Sequence, residues 1–193
     1  MMKKNLFLRA ILVVLLAFGA SAASAAESLV IQRLLFADEI AGLGQYTPHP
    51  GMRFTLDDSC RVYVEVSGFA MPLTLNTQDE YNVNLAADVK VKLPQSGRRI
   101  AFQPDMATMN TKVRTKLPSH FLAFGFNFEG WTPGTYVMEV GIRDNIAGQT
   151  VSQDLTFELV EPTEADTKAR EARESQQNEP QQETEEEEVP ASN

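Results

Sequence analysis

Apolar side chains occupy every second position in one segment of this chain after another, and this period limits the fold more than any other feature. In the longest such segment the apolar positions are Val83, Leu85, Ala87, Val89, Val91 and Leu93. Successive side chains of a β-strand point to opposite faces of the sheet, so a period of two indicates strands that are buried on one face. Past residue 27 the only helical pattern lies near the C-terminus. The sequence therefore predicts an all-β domain.

The clearest pair of strands lies in residues 136–159. The first strand has its apolar positions at Tyr136, Met138, Val140 and Ile142, and the second at Val151, Leu155, Phe157 and Leu159. Between them, residues 144–148 read Asp-Asn-Ile-Ala-Gly. Because Asn, Asp and Gly tolerate the left-handed backbone of tight connections, we expect a β-hairpin here.

Shorter segments of the same kind predict the remaining strands. They are Leu29–Phe36, Cys60–Val66, Ile100–Phe102, Val113–Leu117 as an edge strand, and Leu122–Phe128. We expect Pro104 to end the third of these and Pro118 to close the fourth, because proline lacks a backbone donor. Residues 42–51 are rich in Gly and Pro and should form a long loop. Seven or eight such strands favour an antiparallel sandwich of two sheets.

The N-terminal residues predict export. The basic residues there are Lys3, Lys4 and Arg9. They lead into the apolar stretch Ala10–Phe18, and Ala23-Ser24-Ala25 follows as a cleavage site of the small-residue type. The apolar stretch is far shorter than the roughly 20 residues that cross a bilayer. We therefore expect residues 1–26 to be a signal peptide cleaved after Ala25 or Ala26, leaving a periplasmic or extracellular protein with no transmembrane segment.

The charge of the chain is concentrated near its C-terminus. Residues 27–160 carry 11 basic and 15 acidic side chains, whereas residues 161–193 carry 3 basic and 11 acidic ones. Residues 27–160 suit one domain, and residues 161–193 have too few apolar side chains to fold, so we expect a disordered acidic tail. A mildly acidic domain also argues against nucleic acid as the main partner, because nucleic-acid binding depends on clustered cations.

Cys60 is the only cysteine, so the chain has no intramolecular disulfide. It shares the parity of Val62, Val64 and Val66, the apolar face of its strand. This position favours a buried thiol, and the alternative is an exposed thiol available for intermolecular pairing.

The sequence Pro133-Gly134-Thr135-Tyr136, followed by an alternating strand, resembles the entry to a late strand in bacterial immunoglobulin-like and fibronectin type III-like domains. The resemblance covers residues 60–160 and includes Arg61–Val66 as an early central strand. It implies an immunoglobulin-like β-sandwich, with Tyr136 partly buried at a sheet corner and its hydroxyl bonded to nearby backbone. The chain lacks the paired cysteines and central tryptophan of antibody-type domains, since Trp131 precedes the turn instead.

Seven basic residues fall within 27 positions and form the candidate binding site. They are Lys90, Lys92, Arg98, Arg99, Lys112, Arg114 and Lys116. Most of them lie on the polar faces of neighbouring predicted strands. A solvated sheet face explains such a set, and the sharper hypothesis is a strip that binds an anionic polymer, a lipid headgroup, another envelope protein or the chain's own tail.

No motif in the sequence points to catalysis, a metal or a cofactor. The two histidines, His49 and His120, are isolated from Cys and from carboxylates at ligand spacing, and His49 is expected in a solvent-facing loop. We therefore expect a non-catalytic binding module of the bacterial envelope. One alternative is a hydrolase or other enzyme whose site is built from loops around His49, His120 and Asp105. Another is a structural subunit of an extracytoplasmic assembly.

Overall fold

The computed structural model describes residues 28–75 and 79–168. The predicted signal peptide and the part of the predicted tail beyond residue 168 lie outside the described residues. Residues 164–168 form one helical turn. It begins with a capping box, in which the Thr163 amide donates to Asp166 Oδ2 at 2.9 Å and the Asp166 amide donates to Thr163 Oγ1 at 3.3 Å.

The described residues form nine strands in two sheets. The strands are β1 (Val30–Gly42), β2 (Gln45–Pro48), β3 (Arg53–Thr55), β4 (Ser59–Ser67), β5 (Tyr81–Lys92), β6 (Arg99–Val113), β7 (Ser119–Asn127), β8 (Gly134–Asp144) and β9 (Gln149–Val160). The first sheet has the order β2-β1-β4-β7, and the second has the order β3-β9-β8-β5-β6. The all-β prediction is confirmed. The predicted number of strands was too low, because β2 lies inside the predicted loop 42–51 and β3 follows it.

The predicted hairpin is β8 with β9, and its register runs without a shift from Gly134 opposite Leu159 to Asp144 opposite Gln149. Its turn is closed by the Gly148 amide, which donates to the Asp144 carbonyl at 2.8 Å. Gly148 has a φ of 68°, the left-handed conformation expected of a glycine at this position.

One strand pairing contradicts the prediction of a purely antiparallel fold. The short strand β3 pairs with β9 in parallel, with Phe54 opposite Leu159. This pairing is possible because the chain crosses from the first sheet to the second between β2 and β3. Phe54 is thereby buried, with its ring centroid 4.9 Å from that of Phe36.

The apolar faces of the two sheets meet in one core. Phe36 of the first sheet and Phe157 of the second have ring centroids 5.7 Å apart, and Phe128 lies 5.7 Å from Phe157. The alternating positions of β5 and β8 are buried as predicted, including Val83 and Met138 at 0% exposure. Such close aromatic contacts add to the burial energy of the core.

Strand β6 is longer than the sequence predicts. Pro104 does not end it, since β6 runs from Arg99 to Val113 with a bulge between the pairs Val89–Gln103 and Ala87–Ala107. Strand β6 lies at the edge of its sheet, so the missing donor of Pro104 costs no ladder hydrogen bond. The predicted edge strand Val113–Leu117 is also wrong, because β6 ends at Val113 and residues 114–118 lie outside the strands.

The outer face of the first sheet carries a buried tyrosine. Tyr63 of the central strand β4 has 0% exposure. The β1–β2 connection covers it: the Gly44 amide donates to the Tyr63 hydroxyl at 2.9 Å, and the Tyr46 ring lies 4.4 Å away. Burial raises the pKa of the Tyr63 hydroxyl. Phe121 of β7 stacks on the same ring at 5.5 Å.

Candidate functional site

The structure divides the seven predicted binding residues into two groups. The first, called the basic end, comprises Lys90, Lys92, Arg98 and Arg99, and the second comprises Lys112, Arg114 and Lys116. Lys92 pairs with Arg99 across β5 and β6, whereas Lys112 pairs with Asn82 at the other end of β5. Ten positions of an extended strand separate these pairs, which is roughly 33 Å. The seven residues therefore do not form one strip, and binding by either group stays a prediction.

Two lysines of the basic end share one carboxylate. Lys90 Nζ lies 2.7 Å from Glu139 Oε1, and Lys92 Nζ contacts Glu139 Oε2. The hydrogen bonds from these lysines hold the pKa of Glu139 below its usual range, and the Glu139 carboxylate raises the pKa of Lys92. Asp154, opposite Glu139 on β9, also raises the pKa of Lys92, so the two lysines face two carboxylates on this outer face of the second sheet.

The two arginines of the basic end are exposed and form no ion pair among the described residues. The Arg99 guanidinium lies 5.3 Å from the centroid of the Phe102 ring, which is 44% exposed. Arg98 follows the turn after β5, in which the Gly97 amide donates to the Leu93 carbonyl at 2.9 Å. This turn directs Arg98 towards a groove beside β6.

Three adjoining cavities form this groove, which we call the Trp131 groove. Their volumes are about 340, 290 and 250 Å³. The first shares Leu93, Thr132 and Tyr136 with the second, and Ala101 and Trp131 with the third. Arg98 lines the first cavity, and Met106 and Phe126 line the third. The first and third cavities thus combine apolar side chains with one cation, Arg98, whereas the second is lined mainly by turn residues.

Local hydrogen bonds hold the tryptophan side of the groove in place. The Trp131 amide donates to the Phe128 carbonyl at 3.0 Å, and the Tyr136 hydroxyl donates to the Thr132 carbonyl at 2.7 Å. The ring centroids of Trp131 and Tyr136 are 5.1 Å apart. The predicted bond of the Tyr136 hydroxyl to nearby backbone is confirmed, and at 4% exposure Tyr136 is more deeply buried than the resemblance implies. These contacts therefore fix the position of Trp131.

The second basic group is more dispersed. Lys112 Nζ lies 3.6 Å from Glu80 Oε2, and Lys116 Nζ lies 5.6 Å from the Tyr81 ring centroid. Arg114 is exposed and forms no ion pair with the described residues. No cavity described above is lined by any of these three residues.

His49, His120 and Asp105, the residues of the alternative loop-built enzyme site, lie in three different environments. His49 Nδ1 lies 2.7 Å from Asp38 Oδ1, and the His49 ring stacks on Phe54 at 4.5 Å. With 23% of its side chain exposed, His49 is not the solvent-facing residue that the sequence predicts, because β2 brings it onto Phe54. His120 lies in β7, where burial lowers its pKa. Asp105 lies in the β6 bulge and forms an ion pair with Arg143.

Among the described residues there is neither an exposed thiol nor a metal site. Cys60 is 4% exposed, which confirms the buried thiol, and burial raises its pKa to about 12. In the part of the chain that the structure describes, no three His, Cys, Asp or Glu side chains lie close enough to hold a metal ion. The described residues also include no helix with the length and hydropathy of a membrane span.

No protein-family model matches the chain, and no curated protein matches it. Among solved structures, the chain is similar to a family 123 glycoside hydrolase from Clostridium perfringens, described for the hydrolysis of glycolipid glycans, at a TM-score of 0.35 and 10% identity. The similarity covers 57% of this chain and 23% of the hydrolase chain. A similarity this weak carries no argument about function.

The Trp131 groove was not predicted from the sequence. Trp131 is the only tryptophan of the chain, and it stands two residues before the Pro133-Gly134 turn. This position marks it as part of a loop at a strand entry. Its neighbours Leu93 and Arg98 come from a distant turn, so only the fold brings the groove together.

Proposed function

We propose that this chain is an exported, non-catalytic binding module of the bacterial envelope, periplasmic or extracellular, with an immunoglobulin-like β-sandwich fold. The strand order supports the fold assignment: β1, β4 and β7 take the places of strands A, B and E in one sheet, and β5, β8 and β9 those of C, F and G in the other. The ligand site is the Trp131 groove together with the basic end.

The observation that carries the proposal is that the Arg98 side chain and the Trp131 ring line the same cavity. Arg98 has no carboxylate partner among the described residues, so its charge is available to a ligand. Arginine binds carboxylates through paired hydrogen bonds, and an indole ring binds apolar groups or flat surfaces. A ligand that satisfies both must carry negative charge beside an apolar group.

An acidic segment of another envelope protein fits this requirement best. The third cavity is lined by Val89, Val91, Met106 and Phe126, which favours apolar side chains of the ligand. Arg99, which forms no ion pair among the described residues, adds a second cation next to Arg98. A polypeptide supplies apolar and acidic side chains in one extended chain, whereas an anionic polymer of uniform sugars supplies mainly charge.

Trp131 provides a direct measurement, because it is the only tryptophan and it lines the groove. We expect its fluorescence to change when a peptide rich in Glu and Phe is titrated into the protein at low salt. Arg98→Gln should weaken this binding on the order of tenfold, since a hydrogen bond to a charged group contributes about 1.5 kcal/mol.

Arg114→Gln is the matched control, because Arg114 is also exposed and lies in the second basic group. It should leave the affinity unchanged. A peptide that does not alter Trp131 fluorescence, or that loses the same affinity in both variants, contradicts the proposal. Tighter binding of a polyanionic sugar than of the peptide contradicts the choice of ligand.

A further inference from the structure

Three of the four edge strands are protected against pairing with another chain. Strands β2 and β3 have only four and three residues. Strand β6 is long, but it contains Pro104 and a bulge at its middle, and it carries charged side chains at both ends. Short length, proline, bulges and charges are the devices by which folded proteins prevent edge-to-edge association.

Strand β7 has none of these devices. Its nine residues read Ser-His-Phe-Leu-Ala-Phe-Gly-Phe-Asn, with no proline and no Asp, Glu, Lys or Arg. Its register with β4 runs from Ser59 opposite Asn127 to Ser67 opposite Ser119 without a shift. Among the described residues β7 pairs with β4 alone. Its other edge is therefore an uncharged template for a further strand, bordered at Phe126 and Asn127 by the third cavity of the Trp131 groove.

We propose that this edge of β7 binds β7 of a second copy of the chain, in antiparallel register centred on Ala123. Only this register overlaps all nine residues of both strands. The two first sheets then join into one continuous sheet of eight strands related by a two-fold axis. Ala123 is exposed and has a small side chain, so two copies can meet at the axis without collision.

The outward side chains of β7 leave room for a second strand in this register. Phe121 of one copy lies opposite Gly125 of the other, on the same outer face as Ala123. A Cβ on Gly125 would approach the Cys60 carbonyl oxygen to 3.1 Å, so this position has little room for a side chain of its own. The Phe121 ring stacks on Tyr63 of its own chain at 5.5 Å, towards β4, and Gly125 has no side chain, so neither residue blocks the approach of a second β7.

On β4, Arg61 is the neighbour of Gly125, and Glu65 is the neighbour of Phe121. In the antiparallel dimer Arg61 of one copy and Glu65 of the second copy lie three strand spacings apart, roughly 14 Å. The Arg61 guanidinium donates to the Asp38 carbonyl on β1, away from β7. These charges therefore do not oppose the dimer.

Sedimentation of the protein over a range of about 1 μM to 1 mM tests the proposal. We expect a dimer that Ala123→Lys converts to a monomer, because two like charges then meet at the axis. Thr108→Lys places the same charge at an exposed position of β6 and should leave the dimer intact. A monomer at every concentration, or a dimer that survives Ala123→Lys, overturns the proposal.

An intermolecular disulfide locates the two-fold axis of the dimer, whatever the strength of association. In either type of antiparallel pair the Cα atoms of facing residues are about 4.5–5.5 Å apart, which is within the range for a disulfide. Ala123→Cys should thus form an intermolecular disulfide on mild oxidation. Ala147→Cys, in the exposed β8–β9 turn, is the control. Equal rates of cross-linking in the two variants contradict the β7 interface.

Discussion

Arg143 on β8 donates a hydrogen bond from Nε to Asp88 Oδ2 on β5, at 2.8 Å. The other oxygen of the same carboxylate accepts the Asp105 amide at 2.9 Å, at the point where β6 bulges. Asp105 has a φ of 51°, an unusual conformation for a residue other than glycine. Asp88 therefore provides the hydrogen-bond acceptor that the bulge would otherwise lack, and Arg143 holds that acceptor in position.

We expect Asp88→Asn to destabilise the fold by about 1–3 kcal/mol, because it removes a charged acceptor from three hydrogen bonds, two from Arg143 and one from the Asp105 amide. Partial burial alone would raise the pKa of Asp88, but the hydrogen bonds from Arg143 and Asp105 outweigh burial and lower it. Urea unfolding measures the change in the free energy of unfolding. Asp154→Asn, on the exposed face of β9, is the control and should have little effect. Equal destabilisation by both variants contradicts this role of Asp88.

Glu139 should make stability depend on pH. Its pKa is lowered from 4.5 by the hydrogen bonds from Lys90 and Lys92, so the folded state binds its proton less tightly than the unfolded state does. The resulting stabilisation is complete above the unfolded pKa of Glu139 and is lost as the pH falls through the lowered folded value. We expect Glu139→Gln to cost up to about 1 kcal/mol near pH 7.

The cost of Glu139→Gln should vanish in acid, where the wild-type carboxyl is protonated too. Unfolding of both proteins at pH 7 and in steps below pH 4.5 measures this convergence. Glu158→Gln, an exposed position on β9 without an ion pair among the described residues, serves as the control. A penalty for Glu139→Gln that is the same at every pH is incompatible with the ion pairs to Lys90 and Lys92.

Tyr136→Phe tests the support beneath the Trp131 groove. The variant removes the hydroxyl that donates to the Thr132 carbonyl, and we expect it to cost about 0.5–1.5 kcal/mol. The Trp131 emission should shift as well, because the Tyr136 ring contacts Trp131 and the loop between them loses its hydrogen bond. Tyr81→Phe is the control, since the Tyr81 ring lies far from this loop on β5. Unchanged Trp131 emission in Tyr136→Phe contradicts the supporting role.

Period-two alternation predicted the strands that are buried on one face, because this pattern is visible without knowing which strands lie beside them. Residues 83–91 and 136–142 are of this kind, and both became central strands. Pro104 misled the prediction because its effect depends on position in the sheet: an edge strand tolerates proline, and a single sequence does not reveal which strands are edges. Strand β2 was missed because its residues Gln45–Pro48 pair with the far end of β1 and have no apolar period.

The candidate site could be predicted only in part. Lys90 and Lys92 were assigned correctly to a polar strand face, but the distance between the two basic groups depends on strand length and register. Glu139, which pairs with both lysines, lies almost fifty positions away in the sequence. The Trp131 groove likewise needs the turn after β5 to meet the loop before β8. Contacts of this kind depend on the strand topology, so no short stretch of the sequence indicates them.

The acidic C-terminal residues should compete with an external acidic ligand. Leu159, next to the end of β9, pairs with Gly134, which lines the Trp131 groove, so the chain leaves the domain close to the site. Residues 169–193 contain 8 acidic and 2 basic side chains. Opposite charges on the basic end attract this segment most at low salt, where the screening length is about 30 Å at 0.01 M, compared with about 3 Å at 1 M.

Deleting residues 169–193, which keeps every described residue, should therefore tighten binding of the Glu- and Phe-rich peptide several-fold at low salt and leave it unchanged at high salt. Trp131 fluorescence measures both affinities. A full-length variant with Glu183 and Glu185–Glu188 changed to Gln separates charge from length and should behave like the deletion. If the deletion and the full-length protein bind the peptide equally at low salt, the C-terminal residues do not occupy the basic end.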